Sequence, residues 1–474
     1  VKAVITLMMG AQMSTPTMKV SKLLFQLAMP AICAQVVTLL YNMVDRVYIG
    51  RMEDGVLAMA GVDICAPIIS VITAFTGLFG RGGSPLAAIS MGEKKNNEAE
   101  RFLGNSFAML LITSAVITIT ILLGKEPILR LFGASSATMP FADQYMTIYC
   151  LGTVFVQLTV GMNYYITTQG FAATAMVTTM LGGVLNIVLD PVFMFGLHMG
   201  VAGAALATVL SQMASFVWVL LFLFGKKTAL RIRLKNMRPD WPILKRIMIL
   251  GAAPCFMSAS EDVLHICFNN QVLAYGGDVA VSAMTILFTM FQVVLLPVEG
   301  IAQGSQPIIS YNYGAKTYAR VQETVSLALK AATVLAVVMG FTVVGLPEMF
   351  IRIFSSDPEL VRVGAPMLRL YMLVMFLHGP NCTFQRTYTS LGEGKKSFFF
   401  AFYRKIILLI PLLYILPAAL PAWGVMSVVL AEPISDTLTA LTNAVYFRRF
   451  MGKKLGGERE KPHPLLSNNG VYYD

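Results

Sequence analysis

Charged side chains are scarce in this chain. Asp, Glu, Lys and Arg supply only 13% of its 474 residues, whereas 56% are hydrophobic. Soluble globular domains carry roughly 25% charged residues, so the composition excludes an ordinary water-soluble protein. A bilayer core about 30 Å thick needs roughly 20 apolar residues per helix, and such stretches recur from Leu23 to Tyr446. The chain is therefore predicted to be an integral membrane protein.

Sequence patterns of hydrolases and ATP-driven pumps are also missing. The four histidines form no HExxH, and neither a DDxxD-type metal pair nor a P-loop occurs. The six cysteines show no CxxC spacing and all fall in apolar segments, where they are expected to be small apolar filler. We therefore expect no enzyme, and no cofactor other than a coupling ion.

The basic residues that give the chain its net charge of +11 lie in loops beside apolar segments. This placement argues against a nucleic-acid partner. Basic loops that flank membrane helices lie on the cytoplasmic side. We therefore expect a multi-pass monomer in the cell inner (plasma) membrane, with both termini cytoplasmic and the lipid bilayer as its main partner. The central basic loop contains Lys226, Lys227, Arg231, Arg233, Lys235 and Arg238.

The apolar stretches predict an all-α membrane protein of twelve transmembrane helices in two six-helix bundles. The predicted spans are 22–49, 56–91, 98–124, 139–167, 173–196, 200–225, 241–275, 279–313, 321–346, 362–390, 397–420 and 424–449. The corresponding domains are an N-terminal cytoplasmic segment (1–20), an N-lobe (21–225), a basic cytoplasmic linker (226–240), a C-lobe (241–450) and a cytoplasmic tail (451–474).

The two predicted bundles repeat each other in sequence. The segment 85–94 (PLAAISMGEK) aligns with 307–316 (PIISYNYGAK), so Gly92 pairs with Gly314 at an offset of 222 residues. The same offset pairs Gly170 with Gly392. Six helices per half is an even number, so both halves enter the membrane in the same direction. This is a parallel repeat about an axis along the membrane normal, an arrangement typical of transporters that work by alternating access.

Three segments resemble the multidrug and toxic compound extrusion (MATE) family, in its bacterial multidrug-exporter branch. They are YNMVDRVYIG at 41–50, NIVLDPVF at 186–193 and QGSQPIISYNYGA at 303–315. The resemblance implies two six-helix lobes, antiport against H⁺ or Na⁺, and broad cationic substrates such as drugs and dyes.

Four polar residues of the first half form a candidate ion-coupling site: Asp45, Asn186, Asp190 and Thr208. They are expected at similar depth, and Asn186 precedes Asp190 by four residues, on the same helix face. Their oxygens could bind Na⁺ as a metal site, or the two buried carboxylates could hold a proton. The resemblance assigns ion coupling to the same positions. The open alternative is that Asp45 pairs with Arg46 and Asp190 caps a helix end.

The second half offers candidate substrate-binding residues. Glu261 and Glu299, with His265 on the same helix face as Glu261, are expected to attract a cationic substrate, and the resemblance adds Tyr145 and Asn163 of the fourth helix. The open alternative for the acids is a satisfied hydrogen-bond network within the membrane. The intramembrane charges are interpreted as mostly acidic, which favours cations over the phosphates of a lipid-linked substrate. A flippase for a lipid-linked or cell-wall precursor, which would need bases, remains the alternative function.

Proline and glycine residues at matching repeat positions are predicted to act as hinges. Pro85 lies in the second helix, whereas Pro297, Gly304 and Pro307 are expected to interrupt the eighth. Close packing of small residues is the competing explanation. The role of Arg81, which lies in the glycine-rich part of the second helix, is left open. Together these features predict a secondary antiporter that exports small organic cations by alternating access.

Overall fold

The protein was analysed as a computed structural model that describes residues 18–225 and 228–456. Within these ranges the chain is almost entirely helical and contains no β-strand. The predictions for residues 1–17, Lys226, Lys227 and 457–474 lie outside the described part of the chain.

Ten helices of the described part are long and apolar enough to cross a bilayer, or eleven if the bent pair Met139–Leu151 and Thr153–Thr168 is one span. With the longest of them divided in two they give twelve segments, in agreement with the predicted fold class. The 74-residue helical segment Trp241–Gly314 counts as two of them, because its backbone is non-helical at Gly277, where φ is +68°. The fourth is bent by 55° between its two parts. The helices are α1 Val20–Gly50, α2 Gly55–Gly92, α3 Asn96–Leu131, α4 Met139–Leu151 with Thr153–Thr168, α5 Ala172–Gly196, α6 Gly200–Phe224, α7 241–276, α8 278–314, α9 Tyr318–Gly345, α10 Pro358–Ser390, α11 Gly394–Ala419 and α12 Val425–Leu455.

Most helix ends lie within a few residues of their predicted positions, with an exception at α3 and one short helix that was not predicted. Helix α3 continues through a kink at Gly124 to Leu131, beyond the apolar stretch that predicted its end. A short helix, Pro347–Phe354, precedes α10 and was missed. Its Glu348 and Arg352 interrupt the apolar run, so a criterion based on apolar length overlooks it.

Each lobe has an apolar core of its own, but two helix ends cross between them. Leu23 and Leu27 at the start of α1 pack with Val298 and Ile308 of α8. Conversely, Ile247 at the start of α7, a C-lobe helix, packs in the main apolar cluster of the N-lobe. The lobes are therefore joined by α1 and α8 on one side and by α2 and α7 on the other. Both contacts lie in the half of the bundle that carries the basic linker, which we call the basic end.

Glycine lets the two lobes approach each other at the level of the backbone. A Cβ at Gly304 of α8 would lie 2.6 Å from the Cα of Ala28 in α1, and a Cβ at Gly82 of α2 would lie 2.4 Å from the carbonyl oxygen of Ile247. Contacts this close exclude any side chain. Gly304 therefore serves close helix packing, the alternative to a hinge that its sequence position left open.

The predicted interruption of α8 is not found. Its backbone stays helical through Pro297, Gly304 and Pro307, because the only non-helical residue of the whole segment is Gly277. In α2 the helix instead widens into a π-turn at Gly77–Arg81, just before Pro85. Such turns occur often at functional sites. Whether any of the four predicted hinge positions bends during transport stays a prediction.

We expect Gly304→Ala to destabilise the protein. The new methyl group would overlap the α1 backbone, and overpacking of this kind costs about 1–3 kcal/mol. The matched control is Gly345→Ala, because a Cβ at Gly345 meets nothing within 4 Å. Thermal unfolding in detergent should show a melting temperature several degrees lower for Gly304→Ala only. Equal melting of both variants would contradict the close contact between Gly304 and α1.

Candidate functional site

The candidate ion-coupling residues of the N-lobe come together. The amide nitrogen of Asn186 donates to Oδ1 of Asp190 at 3.1 Å and to Oγ1 of Thr208 at 3.3 Å. Asp190 is fully buried, and Asn186 is 3% exposed. Asp45 of α1 lies close enough for its charge to act on Asp190. Helices α1, α5 and α6 thus gather four oxygen-bearing side chains at one depth.

Both carboxylates of this cluster lack a permanent basic partner among the described residues. Oδ1 of Asp45 and Oδ2 of Asp190 are buried without a hydrogen bond. Arg46 forms an exposed ion pair with Asp63 at 3.0 Å and none with Asp45 among the described residues, although it is close enough for its charge to act on Asp45. Asp190 caps no helix end either, since α5 continues past it as a π-turn to Gly196. The cluster therefore presents free carboxylate oxygens, which suit a proton or Na⁺.

The two predicted substrate contacts of α4 lie on opposite sides of its bend. Tyr145 is 5% exposed, stacks on Tyr149 with ring centres 5.8 Å apart, and lies near both carboxylates of the ion cluster. Asn163 donates to the carbonyl of Ala175 at 3.0 Å, while its Oδ1 is buried without a partner. Asn163 lines a cavity; Tyr145 belongs to the surroundings of the ion cluster. Their role in substrate binding stays a prediction.

The cavity next to Asn163, which we call the N-lobe cavity, has an internal volume of about 240 Å³. Its walls are polar but almost uncharged. Arg81 is the one ionised side chain among those that line it, which include Gln35, Thr38, Tyr41, Thr159, Asn163, Tyr164, Thr178, Gln212, Ser215 and Gln303.

The C-lobe contains buried bases that the sequence interpretation missed. Arg386 of α10 binds Glu299 at 3.0 Å, and Lys405 of α11 binds Glu261 at 2.5 Å. Arg404 of α11 contacts two carboxylates of α12, Glu432 and Asp436, at 2.6 Å each. The premise that the intramembrane charges are mostly acidic is therefore wrong for this lobe. Bases inside the predicted tenth and eleventh helices were the available signal, because such residues almost always pair or face a cavity.

These pairs change the interpretation of the predicted substrate residues in the C-lobe. Glu261 and Glu299 each have a base at ion-pair distance, so neither offers a free charge to a cation. His265 packs against Phe288 with ring centres 4.3 Å apart. A direct attraction of cations by Glu261 or Glu299 is thus weakened, although substrate contact by any of the three stays a prediction.

A second cavity, which we call the C-lobe cavity, lies beside these ion pairs and has an internal volume of about 100 Å³. Arg81 of α2 lines it as well as the N-lobe cavity. Its lining combines apolar residues such as Pro254, Met257 and Phe400 with Glu299, His378, Asn381, Arg386, Arg404, Lys405 and Thr439. The mixture of apolar residues with a few polar groups is that of a site for a small organic molecule, although the volume is below the range of about 300–1,000 Å³ typical of such sites.

Two six-helix bundles, each with a polar cavity and buried carboxylates, have the architecture of a membrane transport protein. The chain belongs to the MatE family, whose model matches residues 30–192 and again 254–415. The two matches begin 224 residues apart, once in each lobe, in agreement with the internal repeat. Because this is a family of transporters, the prediction that the protein is not an enzyme is confirmed.

Similar proteins and structures cover almost the whole chain. The multidrug export protein MepA of Staphylococcus haemolyticus is 24% identical over 87% of this chain and 91% of its own length, and MepA of Staphylococcus saprophyticus is 25% identical over 89% and 92%. A crystal structure of MATE in the bent conformation matches with a TM-score of 0.87 at 23% identity, over 96% of this chain and 98% of that one. An outward-facing multidrug resistance MATE family transporter matches with a TM-score of 0.85 at 23% identity, over 96% and 99%.

We expect Arg386→Gln to destabilise the C-lobe strongly, because it leaves the Glu299 carboxylate without its base. Removing one partner of a buried pair costs about 3–5 kcal/mol. The double variant Arg386→Gln/Glu299→Gln should recover most of this loss, since two neutral amides can hydrogen-bond to each other. Thermal unfolding of the two single variants and the double variant gives the coupling; simple additivity would contradict the assigned pair.

Proposed function

We propose that this protein is a secondary active antiporter that exports small organic compounds with a positive group, in exchange for H⁺ or Na⁺, by alternating access. The observation that carries the proposal is the buried cluster of Asp45, Asn186, Asp190 and Thr208. An intramembrane carboxylate without a permanent base is costly and usually marks an ion pathway. The name of the related MepA proteins, multidrug export protein, supports export as the direction of transport.

In the proposed cycle, H⁺ or Na⁺ enters the N-lobe cluster from the outer side and neutralises its surplus negative charge. Asp45 lies on α1, whose first turns pack against α8 of the other lobe. A change in the charge of the cluster can therefore alter how α1 packs between the lobes, and so favour one orientation of the cavities over the other. Close packing at the basic end supports an arrangement closed on that side, which we propose to be cytoplasmic.

A flippase for a lipid-linked precursor remains the second candidate because of the bases in the C-lobe. Arg386, Arg404 and Lys405 line the C-lobe cavity, and bases are what a phosphate-bearing substrate requires. However, each of them already holds at least one carboxylate, so they provide no strongly positive surface for a diphosphate. The balance of charge therefore favours the exporter.

Asp190→Asn is expected to abolish ion-coupled efflux. The amide has nearly the shape of the carboxylate but cannot take up a proton and has no charge for Na⁺, so coupling is lost while the fold is kept. The measurement is efflux of a cationic dye from reconstituted vesicles, with Asp278→Asn, which changes an exposed residue of the α7–α8 turn, as control. Unchanged efflux in Asp190→Asn would remove Asp190 from the mechanism.

The coupling ion can be identified by imposing one gradient at a time. Vesicles with an inward gradient of Na⁺ at equal pH are compared with vesicles that carry a pH gradient without Na⁺. We expect one of the two gradients to drive dye efflux in the unmodified protein and to fail in Asp190→Asn. If neither gradient drives efflux, antiport is the wrong mechanism.

A further inference from the structure

The basic linker is docked on the N-lobe over its described residues, 228–240. Leu230 and Ile232 are buried in the main apolar cluster of the N-lobe. Oε1 of Gln169, in the turn between α4 and α5, accepts hydrogen bonds from the hydroxyl of Thr228 at 2.7 Å and from the backbone nitrogen of Leu230 at 2.8 Å. The first stretch of the linker is therefore fixed on this lobe.

The second stretch of the linker packs against the start of α3. The side chain of Asn105 donates to the carbonyl of Asn236 at 3.2 Å and accepts from the backbone nitrogen of Asp240 at 2.8 Å. A Cβ at Gly104 would lie 2.4 Å from the same carbonyl oxygen of Asn236, so the linker touches the α3 backbone. These contacts hold the short 3₁₀ turn Leu234–Met237 in one place on the surface.

Docking leaves part of the positive charge of the linker without an acid. Two ion pairs join the linker to α3: Arg233 with Glu100, and Asp240 with Arg101. Lys235 and Arg238 are exposed, and neither forms an ion pair with a residue in 18–225 or 228–456. Their charges are therefore available to an anion that approaches the linker from outside the protein.

These two bases line a groove between the linker and α3, which we call the linker groove, with a volume of about 720 Å³. Four bases and two acids in its lining leave two positive charges in surplus: Arg101, Arg233, Lys235 and Arg238 against Glu100 and Asp240. A phosphate group supplies the negative charge and the acceptor oxygens that such a lining requires.

Two large apolar side chains lie beside the same bases and are exposed. Leu234, between Arg233 and Lys235 in the sequence, is 82% exposed. Trp241, the first residue of α7, is 67% exposed and lines the linker groove. Tryptophan is enriched where membrane helices meet the headgroups. A free phosphate ion would use the bases alone, so the exposed apolar groups favour a ligand that also has an apolar part.

We propose that the linker groove binds an anionic phospholipid of the surrounding membrane. Lys235 and Arg238 receive its phosphate, and Leu234 and Trp241 lie against its glycerol backbone and upper acyl chains. Clusters of bases directly beside a membrane helix are typical binding places for such lipids. Because the linker is docked on the N-lobe, the lipid anchors that lobe at the end that we propose to be cytoplasmic.

Fluorescence quenching can report lipid contact at the groove itself. The chain has three tryptophans, so Trp218→Phe/Trp423→Phe leaves Trp241 as the single one. This protein is reconstituted into phosphatidylcholine vesicles that contain an equal fraction of lipid with brominated chains, either phosphatidylglycerol or phosphatidylcholine. Each base near a membrane surface strengthens the attraction of anionic lipid about fivefold. We therefore expect the site at Trp241 to prefer phosphatidylglycerol at least about tenfold.

Lys235→Gln/Arg238→Gln in the same background should reduce this preference to less than about twofold. The matched control is Arg448→Gln/Arg449→Gln, which removes two exposed bases from the last part of α12, also at the basic end, and should keep the preference. Quenching by brominated phosphatidylcholine reports in each variant whether Trp241 still lies at the bilayer, so a misfolded variant is recognised.

Two results would overturn the inference: equal preference for both lipids with the unmodified linker, or an equal loss of preference in the two double variants. The second would mean that the basic end attracts anionic lipid as a whole, without a site. Inorganic phosphate at constant ionic strength should not displace the lipid, and displacement would assign the groove to a free anion instead. No transport is measured, so the outcome is independent of the proposed antiport.

Discussion

A charge inside the hydrocarbon region has to be neutralised there, because no water is available to solvate it. The C-lobe meets this constraint with fixed ion pairs: Arg386 with Glu299, Lys405 with Glu261, and Arg404 between two carboxylates. In the described part of the N-lobe, neither Asp45 nor Asp190 forms an ion pair with a base. Under the proposed antiport a mobile ion neutralises them, so that one lobe satisfies the constraint with its own side chains and the other with its transported ion.

Exchange between two orientations also requires lobes that can move as bodies. The separate apolar cores give each bundle internal rigidity, whereas the contacts between bundles at the basic end depend on small residues such as Gly82 and Gly304. The backbones touch at these glycines, but Leu23, Leu27 and Ile247 also pack across the same junction, so a movement of the lobes has to shift these side chains as well. Arg81 lies beside this contact and borders both cavities.

The helices and the residues of the candidate ion cluster were largely predictable, because both depend on the residue pattern within short segments of the chain. Apolar length gives the spans, and a spacing of four residues places Asn186 and Asp190 on one face. Errors occurred where local patterns mislead: the amphipathic helix Pro347–Phe354 was missed, and prolines in α8 were taken as breaks although the helix remains continuous. The C-lobe bases were visible in the sequence, but their partners were not, because Lys405 and Glu261 are 144 positions apart.

The sequence by itself determined the membrane class, the twelve helices, the parallel repeat and the residues of the candidate ion cluster, since hydrophobic length and helical spacing are properties of short segments. Only the tertiary structure decided which charges are compensated. It showed that Arg46 belongs to Asp63, that the acids of the C-lobe are held by bases, and that Arg81 donates a hydrogen bond to Tyr164. Pairing of charges depends on how distant helices pack, and no segment of the sequence carries that information alone.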